Sequence, residues 1–169
     1  MNHYLMIKCL HIISSVLLVG TGFGSAFYLY FVNRSKNVNA IAEVSRLVVL
    51  ADWCFTTPAV IIQPLSGLVL LHLGGWDLGS TWVQISIALY LIAGLCWLPV
   101  VWLQIKMRDM AIAAAKARSK LSERYWRFAK YWERLGYPAF ICMLASFYLM
   151  VNKPVFSELN IGDFFNSLH

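Results

Sequence analysis

The chain has 169 residues, of which 60% are hydrophobic and only 13% charged, whereas soluble domains are roughly 25% charged. Four runs, Cys9–Asn33, Trp53–Trp76, Leu78–Ile105 and Leu135–Asn152, contain no Asp, Glu, Lys or Arg, which excludes an ordinary water-soluble domain. The net charge of +6 does not indicate nucleic-acid binding, because most basic residues lie in two short segments between the apolar runs. We therefore expect no nucleic-acid partner.

Each apolar run is long enough, or nearly so, for a helix to cross a bilayer, which takes ~20 residues. The pattern predicts an all-α protein that forms a four-helix transmembrane antiparallel bundle. In chain order, the predicted spans are about 4–31, 41–73, 81–105 and 131–152. We further expect a membrane domain over 1–155 that includes a basic cytoplasmic helical segment, 106–130, and is followed by a periplasmic tail, 156–169.

The basic residues predict the orientation of the bundle. Arg34, Lys36 and Arg46 lie around the first predicted turn, and nine of the 14 Lys and Arg residues lie between 106 and 134. Loops rich in Lys and Arg stay in the cytoplasm, so both termini are predicted to be periplasmic. The basic segment is also expected to contact the anionic headgroups of the lipid bilayer.

Two prolines interrupt the second predicted span. Pro58 and Pro64 have no backbone N–H, so the carbonyls of Cys54 and Val60 lose their helical partners. Such carbonyls need donors from neighbouring helices or from water. A span kinked in this way either opens a cavity in the bundle or only curves it.

Two histidines are predicted near the periplasmic side, His11 in span one and His72 at the end of span two. Neutral imidazoles that face each other across a bundle can hold a haem iron axially, or bind copper or zinc. Small residues accompany His11 at helical spacing and could admit a porphyrin edge: Ser15, Leu18, Gly22 and Ser25. Alternatively, His11 hydrogen-bonds to a neighbouring helix and His72 lies among the headgroups.

A second polar group, Asp52, Gln63, Gln104 and Arg108, is predicted nearer the cytoplasmic side. Polar residues within a span are costly and are therefore functional candidates. An ion pair between Asp52 and Arg108 would neutralise both charges, as a structural contact or as part of a proton or quinone-headgroup site. A helical stripe shares the face of Gln104: Tyr90, Gly94, Trp97 and Val101. We count Gly22 and Trp97 among the candidate cofactor-binding residues.

The first span opens with Lys8-Cys9-Leu10-His11, and further signature residues are Asp52, Pro58, Gln63-Pro64-x-x-Gly67, Trp82, Tyr90 and the string Trp97-Leu98-Pro99-Val100-Val101-Trp102-Leu103-Gln104. Over roughly residues 5–115 this pattern resembles the family of predicted integral membrane proteins named DUF2269. The resemblance implies a small bacterial membrane protein and no particular activity.

A more distant similarity is to HemJ-type protoporphyrinogen oxidases and to copper-resistance D-type membrane domains. His11 stands where HemJ proteins bind haem b through a histidine of the first span, and Thr57-Pro58 resembles a Thr-Pro pair of those proteins. Ser86 stands where they carry a functional lysine. The resemblance therefore implies haem b as a cofactor but argues against protoporphyrinogen oxidation.

The sequence thus predicts a multi-pass protein of the bacterial inner membrane that binds haem b and takes part in membrane redox chemistry. His11 is the first-choice ligand and His72 the second. One alternative is a non-enzymatic membrane scaffold or accessory subunit. Another is the handling of copper, another metal or a small solute by the outer histidines and Asp77. A redox partner protein or a homo-oligomer would fit these functions.

Overall fold

Residues 3–153, which a computed structural model describes, form five α-helices and one π-helical segment, and no strand occurs among them. The elements are α1 His3–Ser35, α2 Val38–Ala51, the π segment Asp52–Thr56, α3 Thr57–Leu73, α4 Thr81–Lys116 and α5 Glu123–Asn152. Since α2, the π segment and α3 are continuous, four helical rods are long and apolar enough to cross a membrane. The all-α, four-span prediction is confirmed; the predicted tail, 156–169, lies outside the described residues.

The short connections at the basic end of the bundle are set by left-handed residues and side-chain caps. Lys36 has a φ of 53°, and the Oδ1 atom of Asn37 accepts from the backbone N–H of Ala40, which caps the start of α2. Arg118 has a φ of 50°, and Ser122 caps α5 by accepting from the N–H of Tyr125. The predicted helical segment 106–130 is therefore interrupted: α4 ends at Lys116 and α5 begins at Glu123.

Four helices meet in one hydrophobic cluster near these connections, which we call the basic end. Leu29 of α1, Ile41 of α2, Met107 of α4 and Tyr125 of α5 are almost completely buried in it. A hydrogen bond between α5 and α1 also holds the cluster together: the hydroxyl of Tyr125 donates to Oδ1 of Asn33 at 2.7 Å. Burial of large side chains from all four rods makes this end the best-packed part of the bundle.

The opposite end is held by an aromatic contact. Trp76, in the connection between α3 and α4, packs edge-on against Trp82 with ring centroids 5.6 Å apart. The ammonium group of Lys153, just after α5, lies 4.3 Å from the centroid of the Trp76 ring. Such a cation–π contact is worth roughly 0.5–1 kcal/mol at an exposed site. It ties the end of α5 to the α3–α4 connection.

The rods pack unevenly around the bundle. α4 contacts α5 extensively, α2 packs on α4 and α1 packs on α3, but α1 and α5 touch only sparsely. The contact of Phe23 with Phe140, whose ring centroids lie 5.9 Å apart, is part of this sparse seam. Gly20 and Gly24 are four residues apart, a spacing that often marks the close approach of two membrane helices. No described helix approaches them here, since a Cβ at each position would meet nothing within 4 Å. A gap therefore remains between α1 and α5.

Candidate functional site

A polar interface joins α1 to α3 in the part of the bundle farther from the basic end. His11 Nδ1 lies 2.8 Å from the hydroxyl of Ser66. Ser14 donates to Oε1 of Gln63 at 3.1 Å, and Nε2 of Gln63 donates to the hydroxyl of Ser15. Hydrogen bonds of this kind between transmembrane helices contribute roughly 0.6–1.7 kcal/mol each. His11 therefore hydrogen-bonds to a neighbouring helix, as one of the two alternatives for this residue predicts.

The Ser66 hydroxyl oxygen lies 2.6 Å from the carbonyl of Ile62 as well as 2.8 Å from His11 Nδ1. If the hydroxyl proton goes to Ile62, His11 donates from Nδ1–H and keeps its lone pair on Nε2. With the other tautomer of His11, Ser66 donates to Nδ1 instead. Gly67 faces the ring as well, because a Cβ there would lie 3.4 Å from Cε1 of His11, which is an ordinary van der Waals contact. Gln63 and Gly67 of the Gln-Pro-x-x-Gly pattern thus both serve the packing of α3 on α1.

His72 does not join His11. It is exposed near the end of α3, five residues beyond Gly67, which corresponds to ~7.5 Å along a helix. Over residues 3–153, no group of three or more His, Cys, Asp and Glu side chains is placed to hold a metal ion. Asp77 instead accepts from the N–H of Gly79 within its own turn. The metal-handling alternative stays a prediction.

One of the two prolines of the second rod acts as the sequence indicates. The hydroxyl of Tyr90, on α4, donates to the carbonyl of Val60 at 2.5 Å, which is the acceptor freed by Pro64. Four residues before Pro58 the backbone widens into the π segment, where the N–H of Thr57 reaches back to the carbonyl of Asp52. Single π turns inside α-helices occur frequently at functional sites.

A cavity of about 440 Å³ lies inside the bundle at the level of the π segment. Such a volume is within the usual range of small-molecule pockets, ~300–1,000 Å³. Its surface is almost entirely apolar. We call it the membrane cavity; its walls are α1 between Leu18 and Phe31, Asp52 and Thr56 of the π segment, Val60 of α3, α4 between Tyr90 and Gln104, and α5 between Trp132 and Met143.

Three polar atoms on residues that line the membrane cavity have no hydrogen-bond partner in the described part of the chain. They are Oδ2 of Asp52, Oε1 of Gln104 and Nε1 of Trp132, and only 5% of each residue is exposed. The other carboxylate oxygen of Asp52 accepts from the Thr56 hydroxyl at 2.9 Å. Buried polar groups almost always have partners, so three orphans around one cavity indicate a place for a polar ligand group.

The membrane cavity opens toward the surrounding lipid between α1 and α5. Aromatic side chains that line it are also exposed on the outside of the bundle: Phe23, Phe27, Phe31, Tyr137 and Phe140. Because α1 and α5 pack only sparsely, this aromatic mouth is one route into the bundle. A molecule dissolved in the bilayer can reach the cavity without crossing water.

The structure gathers only part of the predicted polar groups. Asp52, Gln104 and Trp97 line the membrane cavity, as does Gly22, whereas Gln63 belongs to the α1–α3 interface with His11 and Ser15. The predicted ion pair between Asp52 and Arg108 does not form. Arg108 lies one turn beyond Gln104 and pairs with its neighbour Asp109 at 2.8 Å, with 28% of its side chain exposed. The candidate haem residues are thus divided among three places: the α1–α3 interface, the membrane cavity and, for His72, the exposed end of α3.

Sequence reasoning missed the contribution of α5. Trp132, Glu133, Gly136, Phe140 and Met143 all line the membrane cavity. Their spacing, close to three and four residues, is the signal of one helix face. This segment is also basic and aromatic, a composition that is typical of the membrane–water interface. That composition predicts an interfacial location and not a face toward the bundle interior.

Comparison with known proteins gives one match. Residues 5–154 fit the family model described as predicted integral membrane protein, DUF2269. Neither the curated proteins nor the solved structures contain a match. With four candidate spans, the match makes the chain a multi-pass integral membrane protein.

Proposed function

The chain belongs to DUF2269, a family of predicted integral membrane proteins, and we propose that it binds a lipid-soluble small molecule inside the bilayer. The ligand enters between α1 and α5 and places its polar group against Asp52, Gln104 and Trp132. On the distribution of Lys and Arg, the bundle is antiparallel, with its basic end in the cytoplasm and both termini in the periplasm of a bacterial inner membrane.

The observation that carries this proposal is the set of three orphan polar atoms on the wall of an otherwise apolar cavity. An unpartnered polar group costs about 1–3 kcal/mol when it is buried. A ligand that supplies the missing partners recovers that free energy and also fills the apolar space. A purely structural bundle would gain stability from apolar side chains at these positions.

Two glycines of α1 provide a matched test. Gly22 lines the membrane cavity and Gly20 does not, and a Cβ at either position meets nothing within 4 Å. Gly22→Leu should therefore fill the cavity without a backbone clash, while Gly20→Leu places the same side chain on the outer surface. The probe is diphenylhexatriene, added to the protein in nanodiscs and followed by energy transfer from tryptophan.

We expect saturable binding of diphenylhexatriene to the unaltered protein and to Gly20→Leu, beyond its partition into empty nanodiscs. Gly22→Leu should weaken that binding by about tenfold or more, since overfilled apolar sites tolerate added volume poorly. Equal binding by both leucine variants would refute a ligand cavity and favour the alternative of a membrane scaffold or accessory subunit.

A second candidate is haem b ligated by His11, which would supply one-electron redox chemistry. Its support is the His11 Nδ1–Ser66 contact, because a ligating histidine usually has its other ring nitrogen hydrogen-bonded. No histidine lines the membrane cavity among the described residues, so His11 does not fit a haem placed inside it. The fit is restricted to Nε2 of His11 beside the α1–α3 interface.

The visible spectrum of protein expressed with ample haem tests this second candidate. A Soret band that His11→Ala abolishes and His72→Ala preserves would support it. No Soret band, before or after reconstitution with haem b, would remove haem from consideration and leave the binding of other lipid-soluble molecules intact.

A further inference from the structure

The charged side chains that line the membrane cavity all have one sign. Asp52 and Glu133 line it, and within residues 3–153 no Lys, Arg or His does. Basic residues stand close to the wall: Lys130 and Arg134 flank Glu133 in the chain, and Arg34 stacks on the ring of Tyr30, a lining residue, and donates to its hydroxyl. All three are exposed and none lines the cavity. The cavity is therefore electronegative inside an apolar wall.

Neither carboxylate has a cationic partner in the described part of the chain. The ion pairs there join Arg46 to Glu43 and Arg108 to Asp109. The hydroxyl of Thr56 donates to one oxygen of Asp52, and the side-chain amide of Gln104 is a second polar neighbour of the same carboxylate. The other oxygen, Oδ2, is buried with no donor among the described residues at hydrogen-bonding geometry. A desolvated carboxylate is costly unless it meets an opposite charge or a hydrogen-bond donor.

The apolar wall is rich in aromatic rings close to these acids. Aromatic faces attract cations, with a free energy of roughly 0.5–2 kcal/mol per contact that grows as water is excluded. Anionic ligands gain nothing comparable from ring faces, and the stacking of a neutral apolar body on the rings is equally open to a cation that carries such a body. The rings on the wall include those of Phe27, Tyr30, Tyr90, Trp97, Trp132 and Phe140.

We propose that the ligand of the membrane cavity is a lipid-soluble organic cation, with Asp52 and Glu133 as its counter-charges. This inference rests on the proposed function of the same cavity. A protonated amine would donate to Asp52 Oδ2 and to Gln104 Oε1, the two orphan acceptors. The orphan N–H of Trp132 adds an acceptor to the expected head group, such as a hydroxyl or ester oxygen beside the charged nitrogen.

A neutral head group and an anionic one fit the cavity less well. A neutral hydroxyl could satisfy one orphan acceptor but would leave two carboxylates without a counter-charge. An anionic lipid headgroup would meet both carboxylates with a charge of the same sign, which is repulsive and strengthened by the low local dielectric. A protonated amine supplies both a donor for an orphan acceptor and a counter-charge for the carboxylates.

Three probes with the same apolar body separate these possibilities: diphenylhexatriene, its trimethylammonium derivative and its propionic acid derivative. The trimethylammonium group has no N–H, so it tests the counter-charge and the ring faces and not the hydrogen bonds to the two orphan acceptors. The full-length protein is placed in nanodiscs of uncharged phosphatidylcholine, so that the lipid surface does not select for charge. Binding is measured by energy transfer from tryptophan and corrected for partition into empty nanodiscs. The variants are Asp52→Asn, Glu133→Gln and their combination, with Glu123→Gln as a control that removes an exposed carboxylate of α5 that forms no ion pair among the described residues.

We expect the unaltered protein and Glu123→Gln to bind the trimethylammonium probe about tenfold more tightly than the neutral parent, and the acid most weakly. In the double variant, this ratio should fall to about one while affinity for the neutral parent persists, which also shows that the cavity is folded. Equal affinity for all three probes, still lost in Gly22→Leu, would overturn the cation and leave the cavity function standing. No cavity-dependent binding of any probe would overturn both.

Discussion

The hydroxyl of Tyr90 donates to the carbonyl of Val60, which is the one backbone acceptor that Pro64 deprives of its helical N–H. The proline and the tyrosine lie on different spans, yet the tyrosine hydroxyl supplies the donor that the proline lacks. Inside a bilayer no water is at hand to take that role. The contact fixes α4 against α3 at the depth of the membrane cavity, whose wall contains both Tyr90 and Val60.

Tyr90→Phe should lower the free energy of unfolding by about 1–2 kcal/mol, because the carbonyl of Val60 is left unpaired in an apolar setting. Pro64→Ala restores an N–H four residues after Val60, so Tyr90→Phe should cost much less in that background. The measurement is a double-mutant cycle of unfolding in mixed micelles. Equal costs in the two backgrounds would show that the hydroxyl does not replace the lost helical bond.

Gln63 is the centre of the contact between α1 and α3. Gln63→Leu should cost about 1–2 kcal/mol, since it removes the hydrogen bonds to Ser14 and Ser15 together. Gln84→Leu is the matched control, because Gln84 is exposed on α4. Unfolding of both variants in mixed micelles gives the comparison. If Gln84→Leu destabilises the protein as much as Gln63→Leu does, the polar interface contributes little.

Tyr125 joins the beginning of α5 to the end of α1 through Asn33. The tyrosine is completely buried, so Tyr125→Phe leaves the side-chain amide oxygen of Asn33 without its donor. The substitution should lower the free energy of unfolding by about 1–3 kcal/mol. Tyr131→Phe, in the same helix at an exposed position, should be nearly neutral. Thermal unfolding in detergent measures both. A neutral Tyr125→Phe would mean that Asn33 finds another donor when the phenol is absent.

The architecture could be predicted because it depends on patterns that a single rod displays by itself. Charge-free runs identify the four spans, and Pro64 alone indicates that the carbonyl of Val60 needs an outside donor. The identity of that donor, Tyr90, depends on how α4 is rotated against α3. Rotation is set by the fit of many side chains at once, and no local pattern records it.

Site residues were harder to predict for the same reason. Asp52 and Gln104 were singled out as buried polar residues, and both line the membrane cavity. The expected partner of Asp52 is wrong, because Arg108 pairs with Asp109, its neighbour in the chain. Trp132 escaped notice since its indole N–H is informative only once its lack of a partner is visible.

The sparse seam between α1 and α5 should act as the entrance. In a chain whose four cysteines are replaced by serine, Phe23→Cys and Phe140→Cys can be bridged by a short bifunctional maleimide, since the two rings lie 5.9 Å apart. Bridging should slow the exchange of bound diphenylhexatriene by about an order of magnitude, because closing the mouth acts on the dissociation rate. The same thiols capped with N-ethylmaleimide are the control. Unchanged exchange after bridging would place the entrance elsewhere.

Occupation of the membrane cavity is tested most directly by photolabelling. A long-chain trimethylammonium probe that carries a diazirine is equilibrated with the protein in nanodiscs, illuminated, and its attachment sites are mapped by mass spectrometry. We predict labels on residues that face the cavity, such as Gly22, Tyr90 and Trp97, and their loss in Gly22→Leu but not in Gly20→Leu. Labels confined to outward-facing residues such as Leu95 and Val151, with no difference between the two variants, would contradict the account.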